Sequence, residues 1–217
     1  LRTVATAAAF EVGLAVDPDW SVLMWVVKLG GSLNADLLLP RWLALLGGLG
    51  GGRVAVVAGG GEFADTVRAA QGRWRFDDLA AHNMAVLAMA QTTLMMMSIE
   101  PALQLASEAH EISQVLQSGR AALWWPLEAL RPAQDADTSW EVSSDSLALA
   151  LARRLNAERL VLVKSCEVVP GDSLDALSAA GIVDARFLDW AKGADFPIDV
   201  VSRNDIDKVR AGLLNGR

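Results

Sequence analysis

Two apolar runs each close on a cluster of glycines, and each cluster opens into a helical stretch. This repeated order constrains the chain more than any other feature. The first run, VLMWVVKL at Val22–Leu29, ends at Gly30-Gly31, and the second, VAVVA at Val54–Ala58, ends at Gly59-Gly60-Gly61. Short continuous apolar runs rich in β-branched and aromatic residues read as buried strands. Ser32 or Asn34 stands where a helix running to about Leu46 needs a cap. Gly47–Gly52 reads as a glycine-rich loop, and a helix is expected from about Glu62 to Ala70 after the second cluster. Strand, glycine turn, helix, repeated, implies parallel strands with right-handed crossovers.

The rest of the chain continues the alternation. Phe76–Ser98 predicts a long helix in which Leu79, Ala80, Met84, Leu87, Ala88, Gln91 and Met95 fall near one face, with Asp77 or Asp78 at its start. Glu111–Gln117 predicts a short helix, AALWW within Ala121–Leu130 a strand, and the acidic stretch Pro132–Ser139 an exposed loop. Ser143 or Ser144 caps a helix to Leu155. RLVLVK at Arg159–Lys164 reads as a buried strand. Helices over Ser173–Ala180, Asp184–Lys192 and Asp205–Leu214 surround a short strand at Ile198–Val201. There is no internal repeat and no long linker. The expected fold is a single three-layer α/β/α sandwich over residues 1–217 with a mainly parallel sheet, residues 1–21 forming an N-terminal extension.

With 53% hydrophobic residues in 217, the chain has the apolar surface for a large core. A net charge of −7 without a long basic run speaks against a nucleic-acid binder. One cysteine, Cys166, excludes an internal disulfide, and His82 and His110 are too few for a histidine-built zinc site, so no metal site is expected in the protein itself. A reducing, cytoplasmic setting fits. The apolar opening Val4–Val16 carries Glu11 and reads as structured chain rather than a processed leader. No run approaches a membrane span: Met84–Ser98 is interrupted by Gln91.

In open α/β sheets ligands gather at the carboxyl ends of the strands, where both glycine clusters lie. Glycine lets backbone approach a ligand closely, and the helix that follows offers free N–H groups to an anion. Lys28, at the end of an apolar strand, is costly to bury unless an anion compensates it. Either cluster alone equally suits a tight strand-to-helix turn, and Lys28 alone could reach solvent along its stem. Taken together, the three point to a phosphate site. Neither GxxxxGK[ST] nor a strand-following GxGxxG occurs, which excludes a P-loop and disfavours a dinucleotide fold.

KLGGSL at Lys28–Leu33, AGGGEFADTVR at Ala58–Arg68 and SSDSLALALARRLNAERLVLVK at Ser143–Lys164 resemble the amino-acid kinase family, which includes acetylglutamate, aspartate, uridylate and isopentenyl-phosphate kinases. The motifs stand in the family's order and at about its spacing, and the likeness runs from Val22 to Gly216. FDDLAAHNMAVLAMAQ at Phe76–Gln91 resembles a small branch related to the kinase that phosphorylates a furan-methyl phosphate in methanofuran biosynthesis.

The resemblance implies an ATP- and Mg²⁺-dependent kinase acting on a small anionic metabolite, such as an aminomethylfuran-methyl phosphate, in a homo-oligomer. It implies catalytic roles for Lys28 and Asp145. It implies ATP or phosphate contacts at Gly30, Gly31, Ser32 and Lys164, and acceptor contacts at Gly59, Gly60, Gly61, Arg68 and His82. Read from the residues alone, Asp145 also suits a helix first turn, Lys164 a solvated strand end, Arg68 the surface and His82 a satisfied structural position. A phosphate or carboxylate acceptor needs no general base, and phosphoryl transfer rests on positioned charge and donors. Two departures stand out: KSCEVVPG at Lys164–Gly171 lacks the family's usual second lysine or TD-type motif, leaving Lys164 to fill that charge, and the chain ends LNGR without a GTxI-like segment. They leave room for a non-catalytic nucleotide-binding storage or regulatory protein on the same fold; within enzymes the alternative is a nucleoside-monophosphate or amino-acid kinase, and a third reading is a purely structural subunit.

Overall fold

In the computed structural model, which describes residues 24–135, 137–169 and 171–215, six strands form one all-parallel sheet in the order β3-β4-β2-β1-β5-β6. The expectations for residues 1–21 and for the last two residues lie outside this range. The strands are β1 Trp25–Leu29, β2 Val54–Ala58, β3 Leu103–Ala106, β4 Ala121–Trp124, β5 Arg159–Lys164 and β6 Ile198–Ser202. β1 lies at the centre, with Lys28 paired in register to Val57 of β2 and to Leu162 of β5. The helices are α1 Leu39–Leu49, α2 Gly61–Trp74, α3 Asp78–Ile99, α4 Ala109–Gln117, α5 Ser144–Arg154, α6 Leu174–Ala179, α7 Ala185–Ala191 and α8 Ile206–Asn215.

Strand alternation sorts side chains between two cores. Val27 and Leu29 of β1 join Trp42, Leu43 and Leu46 of α1, Met96 of α3 and Val209 and Leu213 of α8 on one face. Val26 of β1 joins Leu149 and Ala152 of α5, Ile112 and Val115 of α4 and Phe187 of α7 on the other. The resulting α/β/α sandwich matches the expected fold. Each fully buried Val, Leu or Phe contributes about 1.5–3 kcal/mol relative to exposure. The same alternation turns Lys28 and Lys164 toward the α5 face. The chain passes from β1 to β2 on one side and places β5 on the other, so the crevice between the two directions opens at the carboxyl ends of β1 and β5.

Several expected elements moved. Residues Gly31–Ala35 form a 3₁₀ turn, and α1 starts only at Leu39, with Pro40 in its first turn. Neither Ser32 nor Asn34 caps it. Asp36 accepts the Leu38 N–H at 2.9 Å instead, and Asn34 donates to Thr92 Oγ1 at 3.0 Å. Gly47 and Gly48 lie inside α1 rather than in a loop. A Cβ on Gly47 would meet Glu100 Cγ at 2.9 Å, so glycine there admits the close approach of the residue that ends α3. α3 buries a different face from the one its apolar spacing marks. Met84, Leu87 and Gln91 are exposed, while Ala81, His82, Val86, Met89, Thr92, Thr93 and Met96 point inward. The helix is apolar all round, so periodicity cannot choose its face. The two threonines tolerate burial because their hydroxyls donate to the carbonyls one turn back, Ala88 and Met89. β3, a four-residue edge strand reading LQLA, was not anticipated.

Candidate functional site

Lys28, on the central strand, is 4% exposed. Its Nζ lies 2.6 Å from Asp145 Oδ1, and Lys164 Nζ pairs with the other carboxylate oxygen, Oδ2. Asp145 is 3% exposed and belongs to the first turn of α5, which Ser143 caps by accepting the Asp145 N–H at 3.1 Å. Thus the aspartate is a helix first-turn residue and an ion-pair centre at once. Lys164 is no solvated strand end: its side chain is 12% exposed. Two ammonium groups against one carboxylate leave an excess positive charge in a buried position, which an anion compensates.

Burial is the largest single influence on Asp145 and works to raise its pKa. Lys28 and Lys164 together outweigh it and hold the carboxyl below its ordinary value. Lys164 is shifted down, first by burial and then by repulsion from Lys28, against the attraction of Asp145.

The two glycine turns meet back to back. A Cβ on Gly31 would lie 2.3 Å from Gly61 N, and one on Gly59 would lie 2.4 Å from Gly31 N. Gly61 has φ +53° and faces Asn34 and the Gly31 carbonyl. Not every glycine is a free donor. Gly30 N–H is spent on Val163 O and Gly59 N–H on Leu29 O, both at 2.9 Å. These two positions, expected to touch phosphate and acceptor, brace the strands behind the site. Among the described residues the N–H groups of Gly31, Gly60 and Gly61 find no backbone acceptor, and no side chain caps α2. An uncapped helix start is an anion site in waiting. Lys28 Nζ stands 3.8 Å from where a Cβ on Gly30 would be, at the edge of the same turn.

A Gly31→Ala substitution puts a methyl group into backbone on the opposing turn, where nothing flexible can yield. It is expected to cost at least about 1–3 kcal/mol, read as a lower urea midpoint. Gly48→Ala, where a Cβ meets nothing within 4 Å, is expected to gain about 0.5–1 kcal/mol instead.

A cavity of about 210 Å³ opens beside the turns. Gly31, Ser32, Gly60 and Gly61 form one wall, Arg68 and Asp65 of α2 and His82 of α3 another, and Trp140, Ser143 and Ser144 a third. It therefore gathers most of the expected acceptor contacts, with Gly59 left behind it. Arg68 is 58% exposed on its side chain; it ion-pairs with Asp65 at 2.8 Å and lies over the Trp140 ring at 4.4 Å. His82 is buried, and its Nε2 donates to Ala129 O at 3.1 Å. The proton on that nitrogen is spent on the backbone. Trp140, whose Nε1 donates to Gln71 Oε1 at 2.6 Å, was missed. It lies in a polar loop without periodicity, and only its being a lone aromatic there marks it. Among the described residues no three His, Cys, Asp or Glu side chains gather as a metal site. No described helix is long and apolar enough to cross a membrane.

Residues 24–170 match the Amino acid kinase family. Over 199 residues the chain is 23% identical to the [5-(aminomethyl)furan-3-yl]methyl phosphate kinase of Methanocaldococcus jannaschii, covering 89% of this chain and 88% of that protein. Among solved structures, the UMP kinase of Bacillus anthracis superposes with a TM-score of 0.67 at 16% identity, over 89% of this chain and 92% of its own. An isopentenyl phosphate kinase does so with a TM-score of 0.60 at 14% identity, over 88% and 96%.

Proposed function

The chain belongs to the amino acid kinase family, and from that premise we propose that it is an ATP-dependent small-molecule kinase whose acceptor is a phosphomonoester such as an aminomethylfuran-methyl phosphate. The observation that carries this is the buried Lys28–Asp145–Lys164 cluster, which does not itself line the cavity but stands directly behind the Gly30–Gly31 turn and the Ser143–Ser144 start of α5, whose Gly31, Ser143 and Ser144 do. An oxygen of the acceptor phosphate forms the new bond to the γ-phosphorus, and the bond to the ADP oxygen breaks with its electron pair. The product is a diphosphate, and no proton must move. Lys28 and the Gly31, Gly60 and Gly61 N–H groups meet the charge that spreads over the transferring group. Asp145 holds both ammonium groups in place, and Lys164 supplies the second cation. Any Mg²⁺ would be held by the nucleotide phosphates, whose charge it would partly neutralise. Self-association and a cytoplasmic setting belong to the same reading. Exposed Met84, Leu87 and Leu94 on α3 support the first, and the lone cysteine is in keeping with the second.

Cavity size favours this acceptor over a nucleoside monophosphate. Pockets for drug-sized ligands run from about 300 to 1,000 Å³, whereas about 210 Å³ suits a single ring with a phosphate arm. With Mg·ATP, the protein is expected to convert the aminomethylfuran-methyl phosphate to its diphosphate with kcat/KM at least about tenfold above UMP, scored by ADP release and phosphorus NMR. Equal or better turnover of UMP would sink the acceptor assignment. Saturable ATP binding without transfer to any phosphomonoester or carboxylate would instead favour a nucleotide-binding storage or regulatory protein.

A further inference from the structure

The segment between β5 and β6 returns to the site at one point. Asp184, the N-cap of α7, accepts the Phe187 N–H at 2.5 Å on Oδ1. The same carboxylate accepts the hydroxyl of Ser143 at 2.5 Å on Oδ2 and that of Ser146 at 3.0 Å on Oδ1. Ser143 and Ser146 flank Asp145 in the first turn of α5, and Ser143 also lines the acceptor cavity. One carboxylate thus fastens both sides of the turn that carries the ion-pair centre. A simple helix cap needs only the Phe187 N–H; the two serine bonds, 38 and 41 residues away in sequence, serve the other helix.

We propose that Asp184 is a positioning residue for phosphoryl transfer: it locks the first turn of α5, so that Asp145 stays between Lys28 and Lys164. This rests on the kinase reading of that cluster. The charged groups facing Lys164 come from three elements: Lys28 of β1, Asp145 of α5 and Asp184 at the start of α7. Arg203, after β6, gives Lys164 only a backbone bond, from its N–H to the Lys164 carbonyl at 2.7 Å. Asp145 and Asp184 favour the ammonium form, and Lys28 and burial oppose it. Asp184→Asn keeps one oxygen, which can still accept from the Phe187 N–H and Ser146, replaces the oxygen that accepts from Ser143 with an NH₂ donor, and removes the charge.

The chain has four lysines, Lys28, Lys164, Lys192 and Lys208, so isotope-labelled lysine NMR resolves Lys164, with Lys164→Arg as the assignment control. In Asp184→Asn the Lys164 titration is expected to move to lower pH. With Mg·ATP and the aminomethylfuran-methyl phosphate, kcat is expected to fall about 10- to 100-fold, with the KM for ATP within about twofold, as for a group that misplaces the reacting centre. Ser146→Ala, which removes a hydroxyl and no charge, is expected to lower kcat severalfold and leave the titration unmoved. It also keeps the positioning role testable if Asp184→Asn fails to fold. An unmoved Lys164 titration in Asp184→Asn, or wild-type kcat in Ser146→Ala, overturns the proposal. If the wild-type protein binds Mg·ATP but transfers nothing, the kinase reading falls, and the lysine titration still decides what Asp184 does.

Discussion

Lys28→Met is expected to lower kcat by at least about 10²–10³-fold, the scale for removing one preorganised donor from a developing charge, while the protein stays folded. Two features of the cluster combine to give this result. The lysine sits at the end of the central strand, 4% exposed and beside the Gly30–Gly31 turn, so no neighbouring cation can move into its place. Lys164 is held on the other oxygen of Asp145 and stays there. Removing Lys28 takes the cluster from two cations and one anion to one of each. The residual pair is neutral, so no unpaired charge is left buried. Methionine fills nearly the same space as the lysine stem, and a volume-conserving change in a core usually costs less than about 1.5 kcal/mol. Saturable Mg·ATP binding is also expected to weaken, because the excess positive charge is gone. Isothermal titration with Mg·ATP and single-turnover transfer measure the two effects separately. Near-wild-type transfer in a folded Lys28→Met protein would falsify the assignment of the phosphoryl pole to this cluster.

The parts of this site that lie within one strand or one turn were legible in the sequence. Lys28 stands near the end of an apolar run and β5 reads with its observed ends, because short, β-branched-rich apolar runs bounded by turn residues favour buried strands. The glycine clusters followed directly on these strands and marked the ligand edge of the sheet. Contacts that depend on distant segments were not legible. The hold of Asp184 on Ser143 and Ser146 joins residues about forty apart, and as an N-cap Asp184 looks like any other helix start. Trp140 reaches the cavity only because its indole bonds Gln71 of α2. The unequal use of the glycines was likewise hidden. Gly30 and Gly31 are neighbours in one motif, yet the strand register gives the Gly30 N–H to Val163 and, among the described residues, leaves the Gly31 N–H without a backbone acceptor. The inward face of α3 could not be read from its apolar pattern, since the choice rests on which face meets β2 and α2 rather than on composition.

Asp145→Asn reverses the charge logic of Lys28→Met and is expected to be the most damaging single change to stability. It leaves two ammonium groups buried together with no anion between them, and breaking a buried ion pair by removing one partner costs about 3–5 kcal/mol. The wild-type pH dependence has two parts. The Asp145 carboxyl is held below its ordinary value in the fold, so its contribution is present above that value and is lost as pH falls through the folded pKa. Lys164 is held below 10.5 in the fold, so the unfolded chain binds more protons between the two values, and stability rises as pH climbs toward 10.5. In Asp145→Asn the attraction that opposed burial and Lys28 is gone. The folded pKa of Lys164 falls further, and the rise in stability begins closer to neutrality. Urea unfolding of both proteins at mildly acidic, neutral and alkaline pH is therefore expected to show a large gap at neutral pH that narrows steadily as pH increases. A gap of under about 1 kcal/mol, or one that widens toward alkaline pH, would mean that the two lysines do not share a buried field around Asp145. Transfer should fall with stability, but added inorganic phosphate is expected to restore part of the lost stability without restoring transfer, because an anion between the lysines replaces the carboxylate's charge and not its place on α5.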